Sequence, residues 1–214
     1  MTKLDRALRR VLGGRAGWRV TAAAVAAGGA GYGAVMGSFG GVTGERLLQV
    51  MYSAVKVPLL LAVTTGLVLP SFFVLNTLAG LRSDLPAAVG AVLRAQGVVA
   101  LALVSLAPLV GVWYVSGASY PAATAFNGGM FCAASLAGQW RLGRRYRPLV
   151  ARDRRHRLTL AAWLAVYVFV GIQMGYVLRP FVGDPERRPT FFRPGAWGNA
   201  YVVVAETLAG AVGR

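Results

Sequence analysis

Side chains that could carry out chemistry are scarce in this chain of 214 residues. It has seven acidic residues, one histidine and one cysteine. Asp184 and Glu186 are the one close pair of carboxylates, and the arginines around them favour local ion pairing over paired acid–base catalysis. His156 has no sequence partner that marks it as a general base, and Cys132 lies in an uncharged stretch, which is typical of a small apolar side chain in a helix. We therefore expect no enzyme, no metal site and no cofactor.

The elements that hold these few groups are long and uncharged. Hydrophobic residues make up 56% of the chain and charged residues 14%, against roughly 25% charged in an average soluble domain. A helix that crosses a hydrocarbon core about 30 Å thick needs about 20 apolar residues. The uncharged stretches predict five such spans, and a turn at Ser116–Pro121 separates the third from the fourth. The predicted spans are about residues 20–41, 57–80, 95–115, 121–140 and 158–178.

Basic residues predict the orientation of these spans. With the N-terminus in the cytoplasm, sixteen of the 23 lysines and arginines fall on the cytoplasmic side, as the positive-inside rule requires. We therefore predict an all-α integral membrane bundle with a cytoplasmic N-terminus and a periplasmic C-terminus. The predicted domains are a basic N-terminus at 1–19, the five-helix transmembrane domain at 20–178 and an aromatic-rich tail at 179–214. The Arg-, Ala- and Gly-rich composition is typical of a GC-rich bacterial genome, which predicts the bacterial inner membrane.

Eight arginines crowd into one predicted cytoplasmic loop, between the fourth and fifth spans. Orientation explains them without a ligand, and anionic lipid headgroups are their expected neighbours. A partner protein at this loop is an open alternative. Nucleic acid is not expected, because the net charge of +16 is distributed between apolar spans. The eight residues are Arg141, Arg144, Arg145, Arg147, Arg152, Arg154, Arg155 and Arg157.

A row of glycines predicts close helix packing. Gly29, Gly33, Gly37 and Gly41 recur every four residues, so they share one face of the first span and let another backbone approach it. Two interpretations stay open: packing within the chain, or oligomerisation and docking of a partner helix. The shorter pair Gly171 and Gly175, in the fifth span, is a candidate complement within the chain.

Polar groups inside the predicted spans are amides rather than charges. Lys56 is expected at a span end, where its ammonium can reach the interface. Three amides, Asn76, Asn127 and Gln173, are expected to form hydrogen bonds between helices, or to line a solute path.

Two segments outside the spans have patterns of their own. Residues 47–56 predict a short amphipathic helix at the outer interface. Four prolines prevent a helix at the start of the tail, and the spacing of Trp197, Tyr201, Val204 and Leu208 predicts a terminal helix.

Several stretches resemble a family of uncharacterised bacterial polytopic proteins. They are residues 54–61 (AVKVPLLL), 69–76 (LPSFFVLN), 179–183 (RPFVG) and 191–193 (FFR). The five-span plan with its cytoplasmic N-terminus is also similar to that of Yip1-like proteins. The resemblance implies an integral membrane protein without a known activity.

The sequence thus favours packing surfaces over chemistry. We expect a non-catalytic membrane subunit or scaffold that packs with other membrane protein subunits in a larger complex. The alternative is an oligomeric channel or transporter for a small solute.

Overall fold

The computed structural model describes residues 15–202, and this part of the chain folds as five α-helices with no strand. A short 3₁₀ turn, Arg82–Asp84, precedes α3, and an irregular tail follows α5 until a helical turn begins at residue 200. Most of the predicted basic N-terminus lies outside the described residues, as do Val204 and Leu208 of the predicted terminal helix. The helices are α1 Arg15–Gly37, α2 Arg46–Leu78, α3 Leu85–Val115, α4 Tyr120–Arg152 and α5 Arg155–Val177.

Local sequence accounts for the helix ends. Gly80 has a φ of +75° and ends α2, because glycine enters the left-handed region without steric cost. Gly117, with a φ of +82°, lies in the short hairpin between α3 and α4, where the sequence predicted a turn. The hydroxyl of Ser119 then accepts a hydrogen bond from the Ala122 amide and caps α4.

The five helices alternate in direction and form a bundle with two different ends. α1 packs mainly against α2 and α3, α3 packs against α4, and α2 packs against α5. One end, which we call the arginine end, carries residues 79–85 and 141–157. The opposite end, which we call the tail end, carries residues 38–46, 116–119 and 178–202.

The bundle exposes large apolar side chains and buries several polar ones within its apolar core. Leu78, Val115 and Leu158 are 80%, 86% and 73% exposed, whereas Lys56 and Asn127 are 0% exposed. This differs from a soluble protein, whose exposed surface carries many charges and in which buried charges are rare. It suits a hydrocarbon environment, where exposed apolar side chains contact lipid.

Four of the described helices are long and apolar enough to cross a membrane, which is consistent with a multi-pass membrane protein. They are α1, α2, α3 with its preceding turn, and α5; α4 is not among them. The predicted fourth span, 121–140, falls short because small and polar residues such as Asn127, Ser135 and Gln139 lower its mean hydropathy.

Two predicted elements differ from the observed ones. The segment 47–56 is no separate interfacial helix, because α2 runs unbroken through Pro58 to Leu78. The arginine-rich segment 141–157 is not a loop: α4 continues to Arg152, and α5 begins at Arg155. In both cases charge marked an expected helix boundary, but a helix can carry charged residues wherever they face water or a partner.

Candidate functional site

The glycine face of α1 is covered by α2. A Cβ atom added to Gly33 would overlap the carbonyl oxygen of Ser53, and one added to Gly37 would lie 2.8 Å from that of Gln49. One added to Gly29 would lie 3.0 Å from the nitrogen of Pro58. This surface therefore brings two backbones of the same chain together, as small-residue interfaces do in lipid.

The other predicted glycines lie elsewhere. Gly41 is beyond the end of α1, in a turn with a φ of +117°. Gly171 lies near Thr64 of α2, and a Cβ atom on Gly175 would meet no atom within 4 Å. The idea that the α5 pair complements the α1 face is therefore wrong.

The polar face of α2 points into the bundle and binds the tail. Gln49 Nε2 lies 3.4 Å from the carbonyl oxygen of Pro180, and the hydroxyl of Ser53 donates to the carbonyl of Phe181 over 2.5 Å. Nearer the tail end, Arg46 donates to the carbonyls of Asp184, Pro185 and Arg187. Buried backbone without regular secondary structure needs partners for its polar groups. The α2 donors supply them at the carbonyls of Pro180, Phe181, Asp184, Pro185 and Arg187.

Lys56 belongs to the same face and is fully buried. Its Nζ donates to the carbonyl oxygen of Pro180 over 2.7 Å and lies 4.9 Å from the ring centroid of Phe191. Along the bundle axis, Lys56 lies at the height of residues 29–33 of α1, short of the tail-end terminus of that helix at Gly37. The expectation that Lys56 reaches the interface is therefore wrong, because the tail folds over it and supplies its acceptor.

The three predicted amides are held in different ways. Asn127 joins three helices: it accepts from the hydroxyl of Tyr32 over 2.9 Å and donates to that of Tyr114 over 2.7 Å. Gln173 instead binds the tail, at the carbonyl of Gly198 and the amide of Ala200. Asn76 donates to a carbonyl of its own helix, and its Oδ1 has no partner among the described residues.

A cleft lies between α4 and α5, with α2 as its floor. It consists of two adjoining cavities of about 470 and 370 Å³, which share Leu60, Phe131 and Gly171 in their walls. The cavity toward the arginine end has a mainly apolar wall, with residues such as Leu136 and Ile172. Its lining also includes uncharged side chains that carry a hydroxyl, thiol or amide group: Thr64, Cys132, Ser135 and Gln139.

The cavity toward the tail end is cationic. Arg179 and Arg193 line it, together with Tyr120, Thr124 and Asn127. Arg193 donates to the hydroxyl of Tyr120 over 2.6 Å, and the Arg179 guanidinium lies 3.6 Å from the ring centroid of Tyr176. The buried Nε of Arg179 has no hydrogen-bond partner within residues 15–202. Among the described residues, no carboxylate lines either cavity.

The opposite side of the bundle carries a groove of a different character. It lies between α1 and α2, has a volume of about 580 Å³ and is lined by residues such as Trp18, Leu59 and Gly66. No charged side chain of the described part lines it. The pairing of apolar wall and basic mouth thus distinguishes the α4–α5 cleft from this groove.

The arginine end is anchored by a buried histidine. His156 is fully buried, and its Nε2 lies 3.0 Å from Oδ2 of Asp84, at the start of α3. Arg152 lies 3.6 Å from the other oxygen of that carboxylate. The side chains of Tyr146 and Leu149 are buried in the same region. The ends of α4 and α5 are therefore fixed to the rest of the bundle.

Most of the predicted arginines project from this anchored end. Arg141 and Arg145 are half-buried, and Arg144 lies 4.9 Å from the ring centroid of Trp140. The guanidinium of Arg155 donates to the carbonyl of Ala79 over 3.3 Å. The exposed members are Arg144, Arg147, Arg152, Arg154, Arg155 and Arg157. The result is a basic surface on ordered helices.

No protein-family model, curated protein or solved structure matches this chain. The resemblance to uncharacterised bacterial polytopic proteins therefore rests on the quoted sequence stretches alone, and the similarity to Yip1-like proteins on the predicted five-span plan alone. In the part of the chain that the structure describes, no three His, Cys, Asp or Glu side chains are grouped so that they could hold a metal ion.

Proposed function

We propose that the protein is a five-span, non-catalytic membrane subunit or scaffold, whose arginine end docks an acidic partner on the cytoplasmic side. In this proposal α4 crosses the membrane together with the four more apolar helices. Its uncharged part, 120–140, is long enough to cross the hydrocarbon core at 1.5 Å per residue. Its polar residues face the cleft and other helices rather than lipid. The inner membrane of a bacterium is the proposed location.

The order of the arginine end carries this proposal. A topology signal needs positive charge but no fixed geometry. Here α4 continues for twelve residues past Trp140, about 18 Å of helix. Arg152 of that extension lies 3.6 Å from Asp84, and the buried ring of Tyr146 packs against His156 of α5, which binds the same carboxylate. Arginines on a rigid surface can form directed, bidentate pairs with carboxylates, which favours recognition of an acidic protein surface.

A photo-cross-linking residue at Ala151, between the exposed arginines, tests the proposal in native membranes. We expect adducts with one defined protein, and at least about tenfold fewer when Arg144, Arg147, Arg154 and Arg157 are changed together to glutamine. Such a loss corresponds to about 1.4 kcal/mol or more of binding energy. These four residues are chosen because Arg152 and Arg155 contact Asp84 and Ala79.

A control that neutralises two arginines at the tail end, Arg187 and Arg188, should leave the adducts unchanged. Adducts with lipid alone would contradict the docking proposal, and would assign the arginines to the anionic headgroups of the membrane surface.

The alternative, a channel or transporter for a small solute, is favoured by one observation. Thr124 and Asn127 line the cleft between α4 and α5, so polar groups meet a cavity inside the proposed membrane region. Polar residues on such a cavity are typical of substrate pathways.

A further inference from the structure

We propose that the cleft between α4 and α5 is a binding site for one membrane lipid with an anionic headgroup. Arg179 and Arg193 contact its phosphate, and one acyl chain lies along α5 toward the arginine end. This inference rests on the proposed crossing of α4, but it concerns the opposite end of the bundle and a different ligand from the docking proposal, so either can fail without the other.

Charge complementarity identifies the headgroup. Two guanidinium groups line the mouth, the described lining contains no carboxylate, and the Nε of Arg179 lacks a partner. The side chains that contact these two guanidinium groups are uncharged: the hydroxyl of Tyr120 accepts a hydrogen bond from Arg193, and the ring of Tyr176 stacks on Arg179. Guanidinium groups bind phosphate through paired, charge-assisted hydrogen bonds, so an anion would complete this site.

The shape of the cleft identifies the rest of the ligand. On α5 the cleft extends from Val168 to the end of the helix at Val177, nine residues further on, which is about 14 Å at a helical rise of 1.5 Å, and Arg179 lies just beyond that end. This is close to the depth of one leaflet, which is half of a hydrocarbon core about 30 Å thick. The two cavities, about 470 and 370 Å³, fall in the range of small-molecule sites. A free phosphate would fill only the basic end and leave the apolar cavity unused.

Glycines keep the cleft open. Gly171 lines both cavities, and Gly128 and Gly175 line the basic one. A Cβ atom on Gly128 or Gly175 would meet nothing within 4 Å. These positions therefore do not serve contact between helices in the folded chain, unlike Gly33 on α1.

Cys132 offers a native probe of occupancy. It is the one cysteine of the chain, it is exposed, and it lines the apolar cavity. We would measure its alkylation by N-ethylmaleimide in the purified full-length protein, in a neutral detergent. Phosphatidylglycerol or phosphatidylcholine with the same acyl chains would be added in increasing amounts. We expect phosphatidylglycerol to slow alkylation at a concentration at least about tenfold lower than phosphatidylcholine does.

Two pairs of variants separate the headgroup from the chain. Arg179→Gln with Arg193→Gln should abolish the preference for phosphatidylglycerol, whereas Arg187→Gln with Arg188→Gln, the same charge change outside the cleft, should retain it. Arg179→Lys should keep most of the preference, since lysine retains the positive charge at this position. Gly171→Leu should remove protection by both lipids, whereas Gly66→Leu, in the groove between α1 and α2, should not.

Three results would overturn the proposal. Equal protection by the two lipids in the unmodified protein would mean ordinary lipid contact. Protection by glycerol phosphate as strong as that by the whole lipid would assign the site to a free phosphate. If both double arginine variants lost the preference for phosphatidylglycerol equally, net charge at the tail end, and not the cleft, would be what attracts the lipid. Helical content and the lipid-free alkylation rate verify that each variant is folded.

Discussion

At the scale of single residues, small side chains have two different roles in this bundle. Gly33 lies where the backbone of α2 passes, at Ser53, and a methyl group has no room there. A methyl group on Gly128 of α4 would meet no atom within 4 Å, so this glycine borders open space. The sequence shows the same residue type in both places, and only the neighbours decide what a substitution does.

Gly33→Ala is therefore expected to destabilise the protein by about 1–3 kcal/mol or more, the usual range for overpacking. The measurement is the transition midpoint of unfolding in detergent, followed by circular dichroism. Gly128→Ala is the matched control and should change stability by less than about 1 kcal/mol. Equal destabilisation by both variants would show that α1 and α2 do not approach as closely as the structure has them.

At the scale of elements, α2 and the tail depend on each other. The polar face of α2 supplies the donors that residues 180–187 need, and the tail in turn covers that face. Arg46 alone serves three tail carbonyls, of which that of Asp184 is half-buried and those of Pro185 and Arg187 are exposed, so its loss would remove three bonds that hold the tail. A hydrogen bond to a charged group contributes about 1.5–3 kcal/mol.

Arg46→Gln should therefore release the tail without unfolding the helices. We expect trypsin to cleave after Arg187 at least about tenfold faster than in the unmodified protein; the bond after Arg188 leads into Pro189, and trypsin does not cut it. Arg82→Gln, which removes one exposed arginine at the other end, is the control and should leave that rate unchanged. Cleavage at the same rate in all three proteins would mean that Arg46 does not hold the tail.

The helices could be predicted from the sequence, but the tail contacts could not. Uncharged stretches locate spans because hydrocarbon excludes charge over a fixed thickness. Lys56 breaks that logic: its charge predicts a span boundary, although a carbonyl of Pro180, 124 residues away in sequence, lets it remain inside. The polar row from Gln49 to Lys56 is visible in the sequence, but a water-facing interpretation fits it as well as a buried one.

The cleft between α4 and α5 could not be predicted from the sequence either. The sequence points to Asn127 and the α5 glycines, yet their common cavity depends on where α4 and α5 separate. Arg179 and Arg193 come together through the irregular fold of the tail, which has no periodicity to interpret. The pairing of Asp84 with His156 likewise joins residues 72 positions apart.

At the scale of the whole molecule, the membrane topology turns on α4. If α4 crosses, the arginine end and the tail end lie on opposite sides of the membrane, with the arginines in the cytoplasm. If only the four more apolar helices cross and the N-terminus lies in the cytoplasm, residues 141–157 lie outside and the tail lies inside. That second arrangement exports the densest basic segment of the chain. It also separates α4 from α3, although Asn127 and Tyr114 share a hydrogen bond within the packed core.

Labelling of single cysteines decides between these topologies. In a Cys132→Ala background, Ser116→Cys or Arg147→Cys provides one exposed thiol near each end of α4. A membrane-impermeant maleimide should label Ser116→Cys in intact cells, and Arg147→Cys only after the membrane is permeabilised. Labelling of both, or of neither, in intact cells would remove α4 from the spans, and the opposite pattern would reverse the orientation of the bundle. Since the docking surface needs the cytoplasm and the lipid cleft needs α4 in the bilayer, the expected pattern is a condition of both proposals.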